Sequence, residues 1–187
     1  MIIISYATAV TAISIIWCAV RATCALRRRA FDWRRELQLL LVYACIVVVA
    51  RYVFFPFSRV NGTIQPLIFD VGRVFPPRTN LIPLVNLFNY PSRGDIVKNV
   101  LGNVLMFVPL GIVWPVCFER LRTPVKAIAT GASISLLIEL LQLPFYGRVS
   151  DVDDLLLNSL GFAIGYGIYL LWRAVARRRE KRCKNDL

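Results

Sequence analysis

The sequence predicts an all-α integral membrane protein of about five transmembrane helices. The N-terminus is expected outside, the C-terminus cytoplasmic, and a proline-rich outer loop between spans two and three. Three observations predict this arrangement. Apolar runs reach membrane-spanning length, basic residues gather between them on one side, and prolines gather on the other.

The first observation is compositional. The 187 residues are 57% hydrophobic with mean hydropathy +0.60, above the apolar share of an ordinary soluble domain. The apolar residues fall into long runs separated by short charged stretches, which is a membrane pattern. A span needs about 20 apolar residues, and five segments supply them, near 2–20, 37–56, 100–118, 124–145 and 152–172. No Lys or Arg precedes the first run, whereas a cleaved signal peptide carries a positive n-region, so this run is expected to be a retained helix.

The second observation is charge. The chain carries a formal net charge of +12. Segment 21–36 holds Arg21, Arg27, Arg28, Arg29, Arg34 and Arg35. Loop 119–126 holds Arg120, Arg122 and Lys126, and the tail holds Arg173, Arg177, Arg178, Arg179, Lys181, Arg182 and Lys184. These are sixteen of the 23 basic residues, and one topology makes all three segments cytoplasmic. Basic flanks therefore have a reason that excludes nucleic acid as a partner. The bilayer is the expected partner, in the inner (plasma) membrane, crossed several times. Phe31 and Trp33 are expected as interfacial anchors. Three segments follow: residues 1–36 as first helix plus basic segment, 37–172 as the helical bundle, and 173–187 as a basic cytoplasmic tail.

What is missing also bounds function. There is no histidine, so no Ser-His-Asp or Cys-His arrangement exists within the chain. Cys18, Cys24, Cys45, Cys117 and Cys183 show no CxxC spacing, so no metal site and no cofactor are expected, and apolar packing is the reading of these thiols.

The third observation is the loop from about 57 to 99. With Pro56 at its edge it holds Pro66, Pro76, Pro77, Pro83 and Pro91, six of the ten prolines. It is apolar for a loop, at Pro66–Phe69 and again at Asn80–Phe88. Prolines break helices and apolar residues resist full solvation, so it is expected in the membrane interface or across the bundle mouth, with short helical pieces.

Polar residues face that loop from three spans. Asn99 and Asn103 open span three four residues apart, on one helix face. Gly102 permits close helix approach, and Pro109 and Pro115 can kink this span. In span four, Glu139 lies on the order of 8–9 Å below the outer end. Ser135 and Gln142 share its stripe. An ionisable group there normally faces a partner or a wet cavity. In span five, Asp151, Asp154, Asn158, Gly161 and Gly165 are spaced on one stripe, with Asp153 beside them. Helix capping accounts for part of this acidity, but three carboxylates within four positions exceed what a cap needs. Arg148, Arg73 and Arg78 are available counter-ions, so a buried Arg–carboxylate network is expected at the outer mouth. The candidate ligand-binding or polar-network residues are Asn99, Asn103, Glu139, Gln142, Arg148, Asp151, Asp153, Asp154 and Asn158.

At these residues the sequence resembles the VanZ-like family. The matching stretches are Asn80-Leu81-Ile82-Pro83-Leu84, the run from Asn99 to Gly111, the run from Ser135 to Gln142, and Arg148 and Asp151 with Asp153–Gly161, followed by Gly165-Tyr166. The resemblance covers about 37–172. It implies a cell-envelope membrane protein associated with glycopeptide resistance of the teicoplanin type, with no established catalytic mechanism.

Three function classes follow. The preferred one is a binding protein whose outer polar cluster engages a lipid-linked or glycopeptide ligand. The alternative is a membrane enzyme acting on a lipid-linked phosphate or glycan at the outer leaflet, with Asp151, Asp153, Asp154 and Glu139 as acid, base or ligands to a hard cation. A transporter is the third; five spans are few for it, and no inverted repeat is visible. A purely structural network would use the same residues. An open cavity lined by them favours function, and complete mutual pairing favours structure.

Overall fold

The computed structural model describes residues 1–28, 32–55, 59–84 and 92–185. Arg29, Phe31, Pro56, Pro91 and the loop stretch 85–90 lie outside the described residues. Five helices, α1 (Tyr6–Arg28), α2 (Trp33–Phe54), α3 (Arg93–Cys117), α4 (Pro124–Gln142) and α5 (Val152–Asn185), are each long and apolar enough to cross a membrane. The chain is an all-α membrane protein.

The helix starts differ from the expected spans for local reasons. The first run does not begin as helix at residue 2. Ile2, Ile3 and Ile4 are β-branched and form a strand, β1 (Ile2–Ile4). Helix α1 begins after Ser5, whose Oγ accepts the Thr8 amide at 3.1 Å. Helix α3 starts seven residues before the expected 100, because Ser92 caps it by accepting the Asp95 amide at 3.2 Å. Helix α4 stops at Gln142 rather than 145, just ahead of Pro144, which has no N–H to continue the helix. Pro109 and Pro115 both lie within the continuous α3.

The tightest packing joins α3 to α5. A Cβ on Gly161 would lie 2.1 Å from the Val104 carbonyl oxygen, and one on Gly165 would lie 2.1 Å from that of Val108. From the other side, a Cβ on Gly111 would lie 2.2 Å from the Phe162 carbonyl oxygen. The Gly161-x-x-x-Gly165 spacing thus makes the expected backbone approach. Phe162 is fully buried and lies over Gly131 of α4. Around it Val49, Val53, Phe107, Leu110, Ile138, Tyr166 and Tyr169 close the core. Helix α1 is peripheral. None of its span is buried, and it meets α2 through a Ser14–Tyr43 hydroxyl pair at 2.7 Å and an Arg21–Glu36 ion pair.

Both ends of the bundle are chemically distinct. At one end Arg35 donates to the Cys117 carbonyl, and Arg122 donates to the Val116 carbonyl at 3.3 Å. These arginines satisfy carbonyls that the end of α3 leaves unpaired. Helix α5 is about 51 Å long at 1.5 Å per residue. It outruns a hydrocarbon core of about 30 Å, so the basic tail continues it as helix.

At the other end the described part of the long connection holds four short strands and one 3₁₀ turn, where only short helical pieces were expected. Strand β1 pairs antiparallel with β4 (Leu67–Phe69). Strands β2 (Arg59–Val60) and β3 (Thr63–Ile64) form a hairpin. Its Asn61-Gly62 turn has positive φ at both residues, 50° and 75°, the geometry of a two-residue type I′ turn. A single 3₁₀ turn occupies Val71–Arg73, capped by Asp70. Strand β5 (Thr79–Asn80) pairs in parallel with β6 (Ser150–Asp151), which leads into α5. The Asp70 backbone amide donates to the Pro144 carbonyl at 2.9 Å, and that of Tyr146 to the Ile68 carbonyl at 2.8 Å. Phe145 meets Phe54 and Phe69 edge to face. The connection therefore folds onto the α4–α5 turn and covers the helix ends.

Candidate functional site

A cavity of about 290 Å³ opens beneath that cover, at the end opposite the basic segments. Asn99 and Asn103 reach it from α3, Glu139 and Gln142 from α4, and Asp154 and Asn158 from α5. Arg148 enters from the turn between α4 and α5. Seven of the nine expected residues thus line one space. Tyr52, Val53, Phe55, Gly147 and Val149 complete the wall.

Each polar residue is held by a specific neighbour. The Asn103 amide donates to Asp154 Oδ1 at 2.6 Å and to Asn99 Oδ1 at 3.2 Å, which ties α3 to α5. Glu139 is 3% exposed, and its Oε2 accepts the Asp151 backbone amide at 2.9 Å. Gln142 donates to the Val53 carbonyl at 3.1 Å, one of the carbonyls that α2 leaves open at its end. The Asn158 amide donates to Ser135 at 3.1 Å, across to α4. Asn158 Oδ1 is buried with no partner among the described residues.

The expected Arg–carboxylate network is not formed. Arg148 turns its fork to the Phe54 carbonyl, with Nε at 3.1 Å and Nη2 at 2.6 Å. Arg73 stacks on the Tyr146 ring, 4.3 Å from its centre. Among the described residues neither makes an ion pair. The cause is geometric. The end of α2 brings bare carbonyls to the place where Arg148 emerges, and a carbonyl accepts from a guanidinium without the two charges having to be stripped of water together. Burial pushes the Arg148 guanidinium below its ordinary range, and the nearby Asp154 carboxylate pulls it back up. Arginine starts so high that it stays charged.

Asp151 and Asp153 serve elsewhere. Asp151 lies in β6, before the helix, so it leaves the stripe it was expected to share with Asp154. Its Oδ1 accepts the Asn80 side-chain amide at 3.1 Å and the Asp153 backbone amide at 2.9 Å. Asp153 is 4% exposed and accepts the Leu84 amide at 2.8 Å. These two carboxylates clamp the Asn80–Leu84 segment to the start of α5. Among the described residues no three of His, Cys, Asp and Glu come together as a metal-holding group, so Asp151, Asp153, Asp154 and Glu139 do not converge as ligands.

Sequence reasoning missed the contribution of α2. Tyr52, Val53 and Phe55 wall the cavity, and the Val53 and Phe54 carbonyls hold Gln142 and Arg148. The available signal was topological: α2 and α4 cross in the same direction, so both must end at the same depth on the same side. Asn80 was quoted only as part of a matching stretch, and its amide proves to orient Asp151.

The arrangement has a defined chemical character. Two carboxylates, Glu139 and Asp154, share one cavity with a single cation among the described lining residues, Arg148. Four side-chain amides surround them. Such a space can bind a polar group or pass a proton between carboxylates.

A family model described as VanZ/LLP1 matches residues 40–173, more than half of the chain and every residue of this site. No curated protein and no solved structure matches the chain at a significant level.

Proposed function

The chain belongs to the VanZ/LLP1 family, and from that premise we propose that it contributes to glycopeptide resistance of the teicoplanin type by binding an envelope ligand in the Glu139–Asp154 cavity. In this reading the protein lies in the plasma membrane, with the cavity on the extracytoplasmic side. Orientation follows from the basic segments, which occupy the opposite end. The observation that carries the reading is convergence without charge pairing among the described residues. Residues from three helices and a turn line one cavity, and its two carboxylates face Arg148 without an ion pair among the described residues. A network that served structure alone would close on itself, because unpaired polar groups at membrane depth are costly.

The test separates site from stability. Glu139→Gln and Asp154→Asn are made singly in the full chain and expressed in a teicoplanin-susceptible host. Each removes a charge while keeping shape. Each should weaken ligand binding about tenfold, as expected for one charge-assisted hydrogen bond, and so restore susceptibility at unchanged protein level. Resistance that changes only in step with abundance would count against the reading.

One observation also favours an enzyme of the outer leaflet. Two carboxylates share one cavity, which is what acid and base work on a lipid-linked phosphate or glycan requires. Turnover of such a substrate by purified protein, abolished by Asp154→Asn, would select that reading over binding alone.

A further inference from the structure

The unfilled demand of the cavity is specific in sign and kind. Asn158 is 1% exposed, and its amide nitrogen is spent on Ser135. The atom left buried without a partner is Oδ1, an acceptor. Glu139 and Asp154 add further acceptors, each already taking one N–H from the chain, with a Ser150 hydroxyl also on Glu139. The wall is thus short of donors. It is also short of positive charge, since two carboxylates stand against the one guanidinium of Arg148. Nε and Nη2 of that guanidinium are committed to the Phe54 carbonyl, while its charge and its Nη1 are not used there. An ammonium supplies three N–H donors, one positive charge and no acceptor. It matches three acceptor groups from two helices: Glu139, Asp154 and Asn158.

The surroundings say what carries the ammonium. Val53, Phe55 and Val149 give the wall an apolar share, and the cavity sits where α2 and α4 end. That is the depth of a bilayer interface, where headgroups meet acyl chains. A guanidinium in the same lining as two carboxylates suits an anion a few bonds from the ammonium.

We propose that the cavity receives the headgroup of an aminophospholipid, with its primary ammonium among Glu139, Asp154 and Asn158 and its phosphate toward Arg148. This rests on the cavity being the ligand site proposed above, and it names the ligand class. A quaternary ammonium carries the same charge but has no N–H for these acceptors. An anionic headgroup brings the wrong charge altogether.

The test uses the purified full-length protein in detergent, titrated with four probes and followed by thermal stabilisation. The probes are dihexanoyl phosphatidylethanolamine, phosphatidylcholine and phosphatidylglycerol, and free phosphoethanolamine. Phosphatidylethanolamine should bind at least about tenfold tighter than the other three, the worth of one charge-assisted hydrogen bond. Asp154→Asn should erase that preference. The ranking on unaltered protein stands even where a variant fails to fold. Equal binding of the three lipids, tightest binding of phosphatidylglycerol, or a preference that survives Asp154→Asn overturns the proposal. Free phosphoethanolamine binding as tightly as the lipid overturns the lipid assignment. Equal lipid binding beside resistance that depends on Asp154 discards this ligand and keeps the site. Resistance indifferent to both carboxylates discards the site itself.

Discussion

Alanine at Gly161 should break the α3–α5 contact. The new Cβ would lie 2.1 Å from the Val104 carbonyl oxygen and 2.9 Å from its carbon. Those are backbone atoms of a packed helix, so no side-chain rotation relieves the clash. The helices must separate, and that loosens Phe107 and Phe162, both fully buried. Overpacking at such a point costs about 3 kcal/mol, a large part of a typical folding free energy. Gly165→Ala and Gly111→Ala should behave alike, for the Val108 and Phe162 carbonyls lie as close to them. Gly167 is the internal control, because a Cβ there meets nothing within 4 Å. Gly167→Ala should be neutral or slightly stabilising, since alanine favours helix over glycine by about 1 kcal/mol. Unfolding midpoints in detergent decide it. A Gly161→Ala protein as stable as Gly167→Ala would refute the close approach.

The second large effect belongs to Arg148. Arg148→Gln should remove about 3 kcal/mol, as expected when a charged donor leaves a buried carbonyl. Two consequences add up. The Phe54 carbonyl at the end of α2 loses both of its N–H donors from this side chain. Glu139 and Asp154 lose the one cation among the described residues lining their cavity. Arg148→Lys separates the two. It keeps the charge but offers a point donor in place of the fork, so it should recover about half the loss. Adding Asp154→Asn to Arg148→Gln should also recover part, because the uncompensated carboxylate is then gone. A double-mutant cycle reads this coupling directly. Additive losses across the cycle would mean that Arg148 acts on the carbonyl alone.

Much of the architecture follows from patterns that survive translation into three dimensions. Apolar runs became helices because a bilayer leaves the backbone no other way to satisfy itself within one segment. The spacing of Gly161 and Gly165 marked a packing face, and Asn99 with Asn103 proved adjacent, as residues four apart on a helix must be. The departures lie where a residue's partner is backbone from elsewhere. Arg148 was expected to seek carboxylates and took a carbonyl of α2, which no side-chain pattern announces. Asp151 was counted on the α5 stripe, but the helix begins one residue later and leaves it in a strand. The strands of the long connection were readable in part: Asn61-Gly62 is a hairpin signal, and Ile2–Ile4 is a β-branched run. Both were overridden by their neighbourhood, an apolar span in one case and a proline-rich loop in the other.

Only a cavity on the extracytoplasmic side can meet an envelope ligand. The most direct test of that placement is cysteine labelling in intact cells with a membrane-impermeant maleimide. Cys183 is native and exposed on the basic tail, and it reports one side. Val149 lines the cavity and is 48% exposed. Val149→Cys, in a chain whose native cysteines are replaced by alanine, reports the other side. Val149→Cys should be labelled in intact cells, and Cys183, as the sole cysteine in a companion chain, only after permeabilisation. Labelling of Cys183 in intact cells, with Val149→Cys protected until the membrane is opened, would invert the protein. The polar cavity would then lie on the cytoplasmic side, beyond the reach of an envelope ligand.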